Sequence, residues 1–154
     1  MKSFISIVII LSLSICFVSC EKEEEGENKT KISRYNDDES HKTGQNCMSC
    51  HISGGSGEGW FTAAGSVYNS SKETPYPNTT VKLYTEPNGQ GNLIKTIEVD
   101  GKGNFYTTEN IDFGAELFTT VSTPDGKIKN MNSSISTGAC NSCHGNSTDN
   151  IWIE

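Results

Sequence analysis

Two five-residue stretches carry the chemistry of this chain: Cys47-Met48-Ser49-Cys50-His51 and Cys140-Asn141-Ser142-Cys143-His144. Each reads C-x-x-C-H. Two thiols one turn apart can each add across a vinyl group of a porphyrin, making two thioether bonds. The histidine that follows can then present a neutral imidazole nitrogen to the iron. This is the attachment pattern of c-type haem. Cys47, Cys50, Cys140 and Cys143 are therefore the candidate thioether residues, and His51 and His144 the candidate proximal ligands, of two covalently attached haem c groups. A zinc site built from both cysteine pairs would need the motifs to meet at one metal, and would not call for a histidine after each pair. A thioredoxin-like dithiol requires a βαβ pattern, which surrounds neither pair.

An iron that passes electrons is usually closed by a strong sixth ligand, histidine or methionine. The chain has three histidines, so His41, six residues before Cys47, is the only one left for that role. The haem it would serve stays open, because six residues are few for a loop around its own ring. Met48 is confined within its attachment loop and Met1 belongs to the leader. That leaves Met131, nine residues before Cys140, as the thioether candidate. Lysine, backbone or water are the alternatives there.

The remaining cysteines lie in or just after an apolar leader. Lys2 precedes a run from Phe4 to Ile15 with the charge and length of a secretory signal, too short for a comfortable membrane span. Its end, Phe17-Val18-Ser19-Cys20, resembles a bacterial lipobox, with phenylalanine where leucine is commoner. The resemblance implies cleavage after residue 19 and lipidation of Cys20. Several acyl chains on one residue would anchor the protein stably. The polar stretch 20–40 opens Glu21-Lys22-Glu23-Glu24-Glu25 and has too few apolar residues to fold, so an acidic disordered tether is expected. Its first residues are also similar to the surface-export signal of Bacteroidetes-type lipoproteins.

Residues 41–59 form the first haem segment, with Gly54, Gly55, Gly57 and Gly59 directly after the motif. Between residues 60 and 130 the pattern changes to strands. Period-two alternation runs through Ala63-Gly65-Val67, Val81-Leu83, Leu93-Ile97-Val99 and Leu117-Thr119-Val121. Turn signals separate these runs at Pro87-Asn88-Gly89, Asp100-Gly101 and Pro124-Asp125-Gly126. The expected fold is mainly β: a small antiparallel β-sandwich flanked by two short, irregular haem-binding segments. The second segment covers residues 131–154 and ends in Ile151-Trp152-Ile153, an edge strand or a haem-packing tail. Trp60, Phe61 and Trp152 follow the motifs closely enough to cover porphyrin, or else to fill the sandwich core.

The sandwich also carries a specific resemblance. Gly65-Ser66-Val67-Tyr68, Pro77 before Val81-Lys82-Leu83-Tyr84, and Val99-Asp100-Gly101-Lys102-Gly103-Asn104-Phe105 resemble a carboxypeptidase regulatory-like, transthyretin-like domain. That resemblance implies a seven-stranded type of sandwich of structural or binding use, without catalytic residues of its own. The whole arrangement looks like a small di-haem cytochrome lipoprotein with an inserted sandwich.

Formal charge is -7, and loss of residues 1–19 removes Lys2 alone, leaving 11 basic against 19 acidic residues. Haem propionates would add to the negative charge, which argues against nucleic acid as a partner. The expected function is an electron carrier, not an enzyme. It would be exported, lipid-anchored at a bacterial membrane (the outer one, on its periplasmic side or the cell surface), and would exchange electrons with redox partner proteins or other cytochromes, self-assembly included. Two other readings stand beside it. A di-haem peroxidase-like enzyme would need an open iron with acid–base groups nearby. A binding module would use the sandwich to recognise a partner or glycan. Whatever the function, two haem segments this short need apolar cover from the sandwich, from each other or from a neighbouring molecule.

Overall fold

A computed structural model of the chain describes residues 28–154. The leader, Cys20 and the start of the tether lie outside the described residues. Strands β1 (Ala63–Tyr68), β2 (Thr80–Glu86), β3 (Gln90–Glu98), β4 (Asn104–Thr107), β5 (Phe118–Ser122), β6 (Ile128–Asn130), β7 (Gly138–Ala139) and β8 (Ile151–Trp152) form two sheets. One sheet has the order β3-β2-β5-β6. In the other, β4, β1 and β7 lie side by side and β8 also pairs with β1.

Alternation builds the core. Val81 and Leu83 of β2 point inward while Lys82 does not, and Ile97, Val99, Leu117 and Val121 complete that sheet's inner face. From the other sheet come Ala63, Val67, Phe105 and Ile153. Gly65 lies directly under Phe105: a Cβ there would stand 2.6 Å from the ring, so only glycine lets this pair close. All six residues of β1 are buried. Its second face, with Ala64, Ser66 and Tyr68, is covered by the two C-x-x-C-H segments rather than by water.

The β3-β2-β5-β6 sheet is antiparallel throughout. In the other sheet, β7 and β8 run parallel to β1, which corrects the expectation of an antiparallel sandwich. Both are two residues long and follow one another along the same edge: Gly138 and Ala139 pair with Ala63 and Ala64, Ile151 and Trp152 with Val67 and Tyr68. They read as one strand interrupted by residues 140–150. The second C-x-x-C-H motif is thus a loop thrown out from a strand of the sandwich and not a segment beside it. Its short apolar pairs carry too little period-two pattern to show this in sequence.

The tether expected to be disordered to residue 40 is tied to the sandwich from Asn28 onward. Ile32 bridges Thr107, the Ser33 amide donates to Tyr106 O at 3.0 Å, and Ser33 is 1% exposed. The Gly101 amide donates to Asp37 O at 2.7 Å, and Asn36 and Asn78 join side chains. Few apolar residues are needed, because this strap satisfies backbone groups along β4 instead of burying a face. Among the described residues no helix is long and apolar enough to cross a membrane.

Candidate functional site

Both motifs fold into the same short turn, a 3₁₀ helix over Cys47–Ser49 and over Cys140–Ser142. In the first, Cys47 O accepts from the Cys50 amide at 3.1 Å and the His51 amide at 3.0 Å. In the second, Cys140 O accepts from Cys143 at 3.3 Å and His144 at 3.0 Å. The serine at the third motif position repeats as well: Ser49 Oγ donates to Asn46 O at 2.7 Å, and Ser142 Oγ to Ala139 O at 2.6 Å. The turn therefore sets both thiols and the histidine at one fixed local geometry, twice.

The histidines are oriented alike. His51 Nδ1 lies 3.0 Å from Glu58 O, and His144 Nδ1 lies 2.7 Å from Asp149 O. A carbonyl can only accept, so Nδ1 carries the hydrogen and Nε2 keeps its lone pair. That is the arrangement which fixes a metal-binding imidazole. Each carbonyl belongs to an acidic residue whose carboxylate is held in turn by lysine. Glu58 pairs with Lys29 at 2.7 Å and Lys31 at 2.6 Å; Asp149 pairs with Lys72 at 2.6 Å. Hydrogen bonds and charge from Lys29 and Lys31 hold the Glu58 carboxyl down at about 2, and Lys72 lowers Asp149 in the same way. Sequence reasoning missed both acids. Their trace is an acidic residue shortly after each motif histidine, at unequal spacing.

The thiols differ by burial. Burial pushes Cys140 up to about 12, with the Cys47 charge adding to it, and burial also raises Cys47. Cys50 is lowered by hydrogen bonds from Ser56 and Ser49. All four are free of disulfides.

Each motif opens onto a cleft of about 620 Å³, within the range of about 300–1,000 Å³ usual for ligand and cofactor sites. The first is lined by Cys47, Cys50, His51, His41, Phe61 and Tyr106. Phe61 lies flat on the His51 ring, centroids 4.2 Å apart at 8°, and Tyr106 stacks behind it at 4.9 Å. His41, whose target was open in sequence, lies beside His51 with ring centroids 5.8 Å apart. Two imidazoles on opposite faces of one metal have centroids about 6 Å apart, given metal–nitrogen bonds of about 2 Å.

The second cleft is lined by Cys140, Cys143, His144, Met131, Lys129 and Trp152. Lys129 and Met131 stand two apart on one strand and its extension, where the Met131 amide donates to Thr119 O at 2.9 Å. Lys129 Nζ is buried over the Trp152 indole with no hydrogen-bond partner among the described residues. Burial, then the Lys72 charge, lowers this lysine. Trp60 lines neither cleft; its backbone N–H and C=O are both held by the Asn28 amide, at 2.6 and 2.8 Å.

Among the described residues no three His, Cys, Asp or Glu side chains gather to hold a bare metal ion. A haem asks for no such cluster, because the porphyrin supplies four ligands and each cleft needs only axial ones. The donor sets and cleft sizes fit that group. No protein-family model, no curated protein and no solved structure matches this chain.

Proposed function

We propose that this chain is a membrane-tethered electron carrier with two covalent haem c groups. Cys47 and Cys50 would hold the first through thioethers and Cys140 and Cys143 the second, with His51 and His144 as proximal ligands. His41 would supply the sixth position of the first haem and Met131 that of the second. The observation that carries this reading is the repetition. Two motifs 93 positions apart in sequence adopt one turn, and each frees the same imidazole nitrogen by the same device.

Haem, when bound, supplies one-electron exchange at its iron. The chain's own residues orient the imidazoles and line the clefts with Phe61, Tyr106 and Trp152, and each turn would present its two thiols to one haem. Export and lipid attachment at Cys20 would place the carrier at a bacterial membrane, the outer one in our reading. Its partners would be redox proteins or other cytochromes, copies of itself among them. The inserted sandwich, in this reading related to carboxypeptidase regulatory-like domains, serves as the frame.

Expression in a host that matures c-type cytochromes tests this directly. Intact mass should show two added haems. The Cys47→Ala/Cys50→Ala and Cys140→Ala/Cys143→Ala pairs should each lose one. Reduced bands indifferent to carbon monoxide would support the carrier, and ready binding an enzyme. An unchanged mass in both double variants refutes the proposal.

A further inference from the structure

The two motif turns meet at one buried hydroxyl. Ser66 lies in the middle of β1, 1% exposed, on the face turned away from the core. Its amide donates to Asn141 Oδ1 at 2.9 Å, and its hydroxyl donates to Asn104 Oδ1 at 2.7 Å. The same hydroxyl accepts from the Gly44 amide at 2.9 Å and from Asn141 Nδ2 at 3.4 Å. A serine hydroxyl has one hydrogen and two lone pairs, and here all are used. Asn104 sends its amide hydrogens to Ser40 at 2.8 Å and Thr43 at 2.9 Å. Ser40, Thr43 and Gly44 lead into the first motif, and Asn141 lies inside the second.

The position of Asn141 explains why it is there. Between β7 and β8 the partner strand of β1 is missing, and the Asn141 carbonyl oxygen takes the amide that a ladder would otherwise satisfy. The segments also touch elsewhere: a Cβ at Gly145 would lie 3.8 Å from Gly44 O. Apolar packing at this joint would tolerate sliding. A fully satisfied buried polar network does not, since any shift leaves a polar group without its partner.

We propose that the Ser66–Asn104–Asn141 network is the positioning joint that sets the placement of the two haem-bearing turns, and with it the interaction between the two haems. The proposal rests on the di-haem reading. None of the three side chains is a ligand or thioether residue, and Asn141→Ala leaves both C-x-x-C-H motifs intact.

The test compares haem-loaded wild type with Ser66→Ala and Asn141→Ala by intact mass, by circular dichroism in the Soret region, and by potentiometric titration. The wild type should show a paired positive and negative Soret signal from two interacting haems. Both variants should keep two haems, lose most of that paired signal and change the separation of their two potentials. Asn141→Asp, which retains the oxygen facing the Ser66 amide, should recover part of the signal, and it carries the test if Asn141→Ala does not fold. Variants with two haems and a wild-type signal and potential separation would overturn the joint alone. A wild type with two haems but no paired signal would overturn it as well. A wild type without two haems would sink the underlying reading and this proposal with it.

Discussion

Gly57→Ala probes how closely the protein holds the first histidine. A Cβ at this position would stand 2.7 Å from His51 Cγ and Nδ1 and 2.9 Å from Cδ2, against about 3.5 Å or more for an ordinary carbon contact. The ring would have to retreat by roughly 0.8 Å on that basis. It has little freedom to do so. Its Nδ1 is bound to Glu58 O at 3.0 Å, and Phe61 lies on it at 4.2 Å. Overpacking of this kind costs about 1–3 kcal/mol, and losing the Nδ1 bond about 1 kcal/mol. Replacing glycine stiffens the unfolded chain and returns about 0.4–1 kcal/mol. Destabilisation therefore wins, by about 1–3 kcal/mol once overlap between the two costs is allowed. In the haem-loaded protein the melting midpoint should fall by several degrees, since each kcal/mol is worth roughly 2–8 °C for domains of this size. The ferric spectrum should show a changed axial field at one haem only. A variant with the wild-type midpoint to within about one degree, on that same conversion, and unchanged bands would refute the claim that residue 57 packs against the His51 ring.

His41→Ala and Met131→Ala should each convert one haem, and a different one, from low to high spin and shift one potential. If neither spectrum changes, both sixth-ligand assignments are wrong and a donor from a neighbouring molecule replaces them. Cys20→Ala should move the protein from washed membranes to the soluble fraction; a variant that stays with the membranes has another anchor. The Glu58 carboxyl is lowered from 4.5 to about 2 in the folded protein. Its contribution is therefore complete above about pH 4.5 and is lost as pH falls toward 2. Wild-type melting temperature should drop more steeply than that of Glu58→Gln across this window, and parallel profiles would show that the lysine pairs hold nothing.

The two C-x-x-C-H turns were legible because their geometry is local. The three-residue spacing and the histidine that follows are covalent facts, and Cys47 O and Cys140 O close their turns with amides only three and four residues away. Strand β2 was legible for a similar reason: Val81 and Leu83 are buried while Lys82 between them is not, and burial on one face writes itself as alternation. What the tertiary structure decided depends on groups far apart in sequence. Glu58 and Asp149 reach the histidines through backbone carbonyls, which every residue has, so their identity carries no mark of the role. His41 could have faced either C-x-x-C-H motif until the strap along β4 fixed the path of the chain and set it beside His51. β7 and β8 are too short to show a period, and they are strands only because β1 offers them a ladder. Ser66, Asn104 and Asn141 look like ordinary polar residues in the sequence. Burial together, 75 positions separating Ser66 from Asn141, is what turns them into a joint.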